Sequence, residues 1–306
     1  MMIHGKTYRH SEYHDRFSKF VSNLQLVQHH NADMDLGRHT HFLAVNRFAD
    51  LSHEEFKKQT TGFRAANPKD LRAKRYVTTL NGTAPESVDW RAQGAVTGIK
   101  DQGQCGSCWA FSTTGAVEGS NFLKTGRLQS FSEQMLVDCD DNGDQGCDGG
   151  LMDNAFGFIE QNGGIDTEND YPYLAHGSAS GCSASREAKH VGTVSGFTDV
   201  PTNDEGQLML AVAKQPVAVA IDANPLQFYD SGVLSDPCGT DLDHGVLVVG
   251  YSTDSSDPTN PDKNYWIVKN SWGESWGEDG FFRLAMGKQG TSGECGITLS
   301  ASYPQA

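Results

Sequence analysis

The chain has 306 residues, of which 37% are hydrophobic and 21% charged, and its net charge is −15 at pH 7. This length suggests two folding units, or one large unit with an appendage. No apolar run approaches the ~18 residues that cross a bilayer, so a membrane-spanning protein is not expected. The acidic balance argues against a nucleic-acid partner, because binding to phosphates requires a basic surface.

The charge and the cysteines divide the chain into two parts. Residues 1–83 carry 13 Lys and Arg against 8 Asp and Glu, whereas residues 84–306 carry 11 against 31. All seven cysteines lie in the acidic part, and eight of the eleven histidines lie in the basic part. We therefore predict two units, 1–83 and 84–306.

The basic part contains two predicted helices. Apolar residues recur at helical spacing from Ser11 to Asn31, and Phe42–Phe48 alternates partly like a strand. Ser52 and Glu55 form a capping box before a second, short helix. Residues 64–83 show little periodicity, and we interpret them as an extended, cleavable connector.

The acidic part begins with helices and ends with strands. Ser107 is placed to cap a helix that runs from Cys108 to about Lys124, and another helix is predicted from about Leu151 to Gln161. We expect a helical lobe at about 84–190 and a β-rich lobe at about 191–306, with a polar loop at Ser252–Lys263. The predicted strands are Val191–Phe197, Val217–Ile221, Gly245–Tyr251, Tyr265–Lys269 and Phe281–Ala285.

An odd number of cysteines suggests three disulfides and one free, reactive thiol. Such a framework implies an oxidising, secretory compartment. The N-terminus has no apolar stretch of the signal-peptide type, so we expect that an export signal has been removed. Asn81-Gly82-Thr83 is a candidate glycosylation site that suits this compartment.

The most informative segment is the run from Gln102 to Phe111, Gln-Gly-Gln-Cys-Gly-Ser-Cys-Trp-Ala-Phe. Cys108 would lie in the first turn of a helix, where free N–H groups and the macrodipole favour a thiolate and lower its pKa. Two other interpretations remain open for Cys105 and Cys108: a redox dithiol, or half of a zinc site with Cys139 and Cys147.

His244 stands at the head of an apolar strand, and Asn270 follows the next strand. Taken alone, His244 would be a structural histidine and Asn270 a turn former. Together with Cys108 they form a different pattern, because a thiol nucleophile needs a base, and the base needs a third group to orient it.

These residues resemble the papain-like cysteine proteases, and most closely the cathepsin L type. His244 and Asn270 follow Cys108 by 136 and 162 residues, and the polar loop at 252–263 accounts for the second, longer offset. The basic part also matches the pro-region of that family. Its two motifs read Glu12-x3-Arg16-x3-Phe20-x2-Asn23-x3-Val27-x3-Asn31 and Ala44-x-Asn46-x-Phe48-x-Asp50.

The resemblance implies an α+β, papain-like two-lobed fold, in which a helical lobe and a β-rich, barrel-like lobe enclose the active-site cleft, preceded by a mainly helical pro-domain. Residues 1–83 would be an inhibitory pro-segment and residues 84–306 the mature peptidase. The implied disulfides are Cys105–Cys147, Cys139–Cys182 and Cys238–Cys295, which leaves Cys108 as the free thiol.

The resemblance also assigns catalytic roles. Cys108 and His244 would form a thiolate–imidazolium pair, oriented by Asn270 and shielded by Trp272. The Cys108 N–H and the side-chain amide of Gln102 would bind the oxyanion. The protein would then be a cysteine endopeptidase that works through a thioester, without a metal or another cofactor.

Substrate-binding residues follow from the same resemblance. Gly149 and Gly150 would pair with an extended substrate, Asp243 and Trp272 would be further substrate-binding residues, and Trp276 would border the leaving-group side. Leu151, Met152, Ala220, Leu242 and Ser300 would line the pocket for the residue before the cleaved one. Because that pocket is apolar and Ser300 carries no charge, we expect a preference for Leu or Phe over Arg; ordinary core packing is the competing interpretation of these five residues.

The expected partners are protein and peptide substrates, the chain's own pro-segment as an intramolecular inhibitor, and protein inhibitors of thiol proteases. A monomer in the lysosome, a vacuole or the extracellular space is expected. Acidification should weaken the attraction between a basic pro-segment and an acidic enzyme, whereas charging the pro-segment histidines should act in the opposite direction, and the sequence leaves the net sign open.

A binding protein that has kept the fold is the rival hypothesis, but it would be expected to have lost one of Cys108, His244, Asn270 or Gln102, and none is lost.

Overall fold

A computed structural model describes residues 6–65, 75–183, 189–287 and 290–305. Its helices are α1 (His10–Asp35), α2 (His53–Thr60), α3 (Cys108–Thr125), α4 (Glu133–Cys139), α5 (Met152–Asn162) and α6 (Glu205–Val212). Its strands are β1 (His41–Leu43), β2 (Arg75–Val77), β3 (Ser87–Asp89), β4 (Phe197–Asp199), β5 (Val217–Ile221), β6 (Tyr229–Leu234), β7 (His244–Ser252), β8 (Tyr265–Lys269), β9 (Phe281–Ala285) and β10 (Ala301–Pro304).

The strands form one sheet in the order β1-β6-β9-β8-β7-β5-β10-β4-β2, and β3 pairs with β7. Strand β7 lies in the middle and is buried along nearly its whole length. The two strands of the basic part lie at opposite edges, since β1 pairs antiparallel with β6 and β2 pairs parallel with β4. The basic part therefore contacts the acidic part at two distant positions.

The basic part folds around α1, which has 26 residues and is longer than predicted. The amide of Asn23 donates to the carbonyls of Ala49 and Leu51, both at 2.9 Å. The amide of Asn31 donates to the Leu43 carbonyl at 2.8 Å and accepts from its N–H at 3.0 Å. The motif asparagines thus bind the chain that follows the helix.

The capping box of α2 is present as predicted. The Ser52 hydroxyl accepts a hydrogen bond from the Glu55 N–H at 3.2 Å, and the Glu55 carboxylate accepts one from the Ser52 N–H at 2.8 Å. These contacts begin α2 at a fixed residue. Phe56 of this helix is fully buried in a core that it shares with residues of the acidic part.

Helix α3 forms where it was predicted, and Gly126 ends it in the left-handed conformation, with φ of 72°. The capping role predicted for Ser107 was wrong, because its side chain makes no capping hydrogen bond. Its hydroxyl instead lies 2.6 Å from the hydroxyl of Tyr173, so a tertiary contact replaces the local one.

Several predicted elements differ from the observed ones. The strand expected at Val191–Phe197 was wrong, since the observed β4 begins only at Phe197. The strand expected within Phe42–Phe48 is restricted to His41–Leu43. Helices α4 and α6 were missed, and α6 shows that the second lobe is not built from strands alone. Among the described residues, the structure has no helix long and apolar enough to cross a membrane.

Candidate active site

The fold brings Cys108 to the bottom of a cleft, where the start of α3 meets the start of β7. Cys108 is the first residue of α3 and is fully buried. Its Sγ accepts a hydrogen bond from the N–H of Gly245 at 3.3 Å. Since His244 is the first residue of β7, the thiol lies beside the residue that immediately follows this histidine.

His244 is held by a second contact on its far side. Its Nε2 lies 2.8 Å from Oδ1 of Asn270, which follows the end of β8. Because an amide oxygen can only accept, Nε2 carries the proton. The ring of Trp272 stacks on the imidazole with centroids 4.7 Å apart and planes inclined by 24°. The other imidazole nitrogen, Nδ1, is buried and has no hydrogen-bond partner among the described residues.

Burial controls the protonation of both groups in this form of the protein. Removal from water raises the pKa of the Cys108 thiol to about 12, and the hydrogen bond from Gly245 offsets this only in part. Burial also lowers the pKa of His244 to about 4, despite the opposing effect of Asn270. Both shifts favour the neutral thiol and the neutral imidazole in this form, opposite in direction to the low thiol pKa expected from the helix terminus.

Gln102 is fully buried. Its side-chain Nε2 donates to the carbonyl of Cys105 at 2.9 Å and to the carbonyl of Thr60 at 3.0 Å. Thr60 is the last residue of α2. The amide predicted to bind an oxyanion is therefore occupied by a carbonyl of the basic part.

Ser271 links the two sides of the site, and our sequence analysis did not identify it. Its hydroxyl donates to Oε1 of Gln102 at 2.7 Å, and its N–H donates to Oδ1 of Asn270 at 2.8 Å. The first contact fixes which end of the Gln102 amide faces the carbonyls of Thr60 and Cys105. The position of Ser271 directly after Asn270 is the feature of the sequence from which its place in the site could have been predicted.

Residues that follow α2 pass through the cleft as an extended chain. The N–H groups of Gly62 and Phe63 donate to the carbonyl of Asp243 at 3.0 and 2.9 Å. Gly150 pairs with the same segment on the other side, because its N–H donates to the Gly62 carbonyl and its carbonyl accepts from the Arg64 N–H, both at 2.9 Å. The pairing of Phe63 with Gly150 is parallel.

The neighbouring glycine allows this close approach. Gly149 has φ of +113°, and a Cβ on it would lie 2.6 Å from the Gly62 carbonyl oxygen. A side chain at this position would push the extended segment away.

Phe63 is buried in the same apolar cluster as four of the predicted pocket residues, namely Leu151, Met152, Ala220 and Leu242. The fifth, Ser300, is half-buried, and its carbonyl accepts a hydrogen bond from the Ala220 N–H at 2.9 Å. A benzyl side chain of the basic part thus belongs to the same apolar core as the predicted pocket residues.

The other side of the cleft is aromatic. Trp276 is 1% exposed and packs edge-to-face on Trp272, with centroids 4.9 Å apart. Phe48 and Phe56 of the basic part pack edge-to-face on Trp272 at 5.8 and 5.1 Å. The basic part thus covers Trp272, which packs on the residue predicted to border the leaving-group side.

The three disulfides have the pairing that the resemblance implied. The bonds Cys105–Cys147, Cys139–Cys182 and Cys238–Cys295 are formed, and Cys108 is the free cysteine. The zinc-site and redox-dithiol interpretations both need an unpaired Cys105, so this pairing excludes them.

Two family matches account for almost the whole chain. Residues 84–305 match the papain family cysteine proteases, and residues 1–56 match the cathepsin propeptide inhibitor domain. The chain belongs to the papain family of cysteine proteases, and it is a cysteine endopeptidase that carries a propeptide inhibitor domain.

Curated relatives include plant cysteine proteases. The chain is 51% identical over 300 residues to Cysteine endopeptidase RepA of Oryza sativa subsp. japonica, covering 94% of this chain and 77% of that protein. It is also 51% identical to Oryzain beta chain of the same organism, covering 96% of this chain but only 62% of that protein. Several curated relatives are thus considerably longer than this chain.

Solved structures of precursor forms match over the full length. Digestive procathepsin L 3 of Tenebrio molitor larval midgut is 44% identical with a TM-score of 0.87, and the match covers 100% of this chain and 96% of that one. A recombinant stem bromelain precursor is 37% identical with a TM-score of 0.86 and the same coverage. These similarities confirm the predicted fold class and the predicted zymogen.

Proposed function

We propose that Cys108 is the nucleophile and His244 the base of this endopeptidase. The observation that supports this best is the chain of contacts from Asn270 to His244 at 2.8 Å and from the neighbouring Gly245 N–H to Cys108 Sγ at 3.3 Å. The single free cysteine of the described chain thus contacts the residue that follows an oriented histidine, and a thiol with such a base is the pair that nucleophilic catalysis requires.

In the proposed reaction, the Cys108 thiolate attacks the carbonyl carbon of a peptide bond. The Cys108 N–H and Nε2 of Gln102 hold the negative oxygen that forms. His244 then gives the thiol proton to the leaving amine, and a thioester remains. Water attacks the thioester with His244 as base, which releases the acid product and restores the thiol.

The basic part inhibits this reaction in two ways. The Thr60 carbonyl occupies the Gln102 amide at 3.0 Å, and the segment 62–64 occupies Gly150 and the Asp243 carbonyl. A substrate is proposed to pair with Gly150 in the direction opposite to this parallel segment. In that case the inhibitor binds at the substrate site but presents its peptide bonds in an unproductive direction.

The docked part is also held by charge. Arg47 forms a two-pronged ion pair with Asp101, in which one bond measures 2.8 Å, and Lys57 lies 2.7 Å from Asp243. In both pairs the cation lies in residues 1–83 and the anion in residues 84–306. They support the proposed division into a pro-segment and a mature enzyme, with cleavage within about 76–87.

The proposed substrates are proteins and peptides with Leu, Phe or a similar residue before the cleaved one. The burial of Phe63 in one apolar cluster with Leu151, Met152 and Ala220 supports this preference. Protein inhibitors of thiol proteases are proposed as further partners. Asn81 is exposed, as a glycosylation site requires, and a lysosomal, vacuolar or extracellular location is proposed from the disulfides.

The test is self-activation of the purified chain at about pH 5 with a mild thiol reductant. We would follow intact mass and the hydrolysis of a fluorogenic peptide with Leu or Phe before the scissile residue, with Cys108→Ala as the control. Loss of the segment that precedes the mature enzyme, together with rising activity, is expected in the wild type and not in the control. The absence of activity even after another protease has removed this segment would favour a binding protein.

A further inference from the structure

A cluster of three ligand-type side chains bridges the two parts of the chain far from the catalytic thiol. His30 and His39 belong to the pro-segment, and Asp236 belongs to the enzyme. One nitrogen from each histidine and one oxygen from the aspartate all lie within 4.8 Å of one another. The closest pair is His39 Nδ1 and Asp236 Oδ2, at 2.7 Å.

The backbone holds these groups in place. Strand β1 pairs with β6 so that His41 lies opposite Gly232, and the Thr40 carbonyl accepts from the Val233 N–H at 3.0 Å. His39 and Asp236 flank this pairing, each just beyond the end of its strand. The cluster therefore exists only while the pro-segment is docked.

The surroundings of His30 suit a metal ligand. Its Nε2 lies 3.0 Å from the carbonyl of His41, and a carbonyl can only accept, so Nε2 is protonated and Nδ1 keeps a free lone pair in the neutral ring. Histidines that bind metals typically donate their second N–H to such a carbonyl.

His41 lies beside this cluster and lines the same cavity as His30 and Asp236. Its ring lies 4.6 Å from that of His30, its side chain is 2% exposed, and its Nδ1 is buried without a hydrogen-bond partner among the described residues. A buried orphan of this kind calls for an ion or a water as its partner.

We propose that His30, His39 and Asp236 bind one divalent transition metal, for which Zn²⁺ is the best match. Two imidazoles, one carboxylate and a water complete the usual four-coordinate set. The rings of His30 and His39 are stacked with centroids 4.0 Å apart, so one ring must rotate for the two lone pairs to converge. A cavity of about 310 Å³, lined by His30, His41 and Asp236 among others, provides the space.

Such an ion would link the pro-segment to the enzyme. A ligand that binds only the docked form stabilises that form. Well above Kd, the stabilising free energy increases with the logarithm of the ratio of the free ligand concentration to Kd. Metal binding would thus slow the release of the pro-segment. This consequence rests on the proposed function, whereas the binding itself does not.

The experiment uses the full chain without a histidine tag, in a Cys108→Ala background so that the active-site thiol cannot bind metal. Zn²⁺ bound at pH 7 is measured by equilibrium dialysis. We expect one ion per chain, and at least about tenfold weaker binding in His39→Ala and in the nearly isosteric Asp236→Asn. His14→Ala is the matched control, because His14 is exposed on the same helix as His30.

A second measurement distinguishes Zn²⁺ bound at the proposed site from Zn²⁺ bound by other histidines of the chain. Zn²⁺ should raise the melting temperature of the full chain and slow the removal of its pro-segment by an added serine protease, and Asp236→Asn should abolish both effects. The proposal is overturned if no ion binds, if both site variants bind as tightly as the parent, or if His14→Ala loses the ion instead. Because the thiol is absent, none of these outcomes depends on the proposed catalysis.

Discussion

The side-chain amide of Gln102 donates a hydrogen bond to the main-chain carbonyl of Thr60 across 3.0 Å. The indole N–H of Trp272 donates to the same carbonyl at 3.3 Å. A neutral carbonyl of the pro-segment thus lies where the proposed reaction would place a negative oxygen. Inhibition and the proposed catalysis would use the same donor, so one substitution should alter both.

Replacing Gln102 by Ala should therefore reduce the turnover of the mature enzyme by about 10²–10³, with little change in KM, because the donor acts mainly on the oxyanion. It should also weaken docking of the pro-segment. The measurement is kcat and KM on a peptide substrate. Gln215, which bonds the Pro304 carbonyl at 3.0 Å, supplies the control Gln215→Ala. Equal losses in the two variants would argue against an oxyanion role.

Gly62→Ala should make the pro-segment a poorer inhibitor. A Cβ at Gly62 would lie 2.0 Å from the carbonyl oxygen of Gly106, so the extended segment would have to leave the cleft. Overpacking of this kind costs about 1–3 kcal/mol, which corresponds to docking that is weaker by about 5- to 150-fold. Maturation rate and activity before cleavage are the measurements.

The control for this clash is Gly98→Ala. Gly98 is exposed, and a Cβ there meets nothing within 4 Å. The Gly98→Ala variant should mature at the wild-type rate. If Gly62→Ala also matured at that rate, the segment could not be packed against Gly106 as described.

The pocket for the residue before the cleaved one should prefer apolar side chains, and an acidic residue introduced there should make it accept Arg. The mature enzyme should cleave peptides with Leu or Phe before the scissile residue faster than the matching Arg peptide. In the Ser300→Glu variant, the new carboxylate should pair with the substrate's Arg side chain and raise cleavage of the Arg peptide several-fold. The measurement is kcat/KM on the three peptides. Ser195→Glu, at an exposed position, controls for added negative charge. A wild type that cleaved the Arg peptide as fast as the Leu peptide would contradict the assignment of this pocket.

The buried His244 should make the docked form sensitive to acid. Its pKa is lowered by burial to about 4, whereas a solvated histidine has a pKa of about 6.5. The open or unfolded forms therefore bind more protons, and the stability of the docked form is complete above about pH 6.5 and is lost as the pH falls towards 4. Acid thus favours release of the pro-segment through this group.

The measurement is the NMR titration of the His244 ring in a full-length Cys108→Ser variant, which cannot cleave itself. The ring should remain neutral at about pH 5.5 in the docked form and titrate at higher pH once the pro-segment has been removed. A ring that titrates near pH 6.5 in the docked form would show that His244 is not desolvated there.

Local signals in the sequence predicted much of this molecule. Helix α1, the capping box of α2, helix α3 and the strands β5, β8 and β9 follow from periodicity and from capping or turn residues. These signals depend on neighbours in the chain, so they can be read without the fold. Ser107 shows the limit, because its contact with Tyr173 lies 66 residues away.

The short helices α4 and α6 were missed for a related reason. Their seven and eight residues are too few for a clear helical period, and tertiary packing stabilises them more than propensity does. The buried ion pairs of Lys100 with Glu118 and Glu133, at 2.9 and 2.6 Å, join residues whose spacing carries no pattern.

The sequence by itself determined the residue types of the site, because a thiol, an imidazole and an amide in a recognisable order define a family and its chemistry. It also determined the division by charge into a basic and an acidic part. Only the tertiary structure decided the state of that chemistry. Burial raises the pKa of the Cys108 thiol and lowers the pKa of His244, which favours the neutral form of both groups, and the Thr60 carbonyl accepts a hydrogen bond from Gln102. Both effects arise from desolvation and from contacts between residues distant in the chain, which no local pattern encodes.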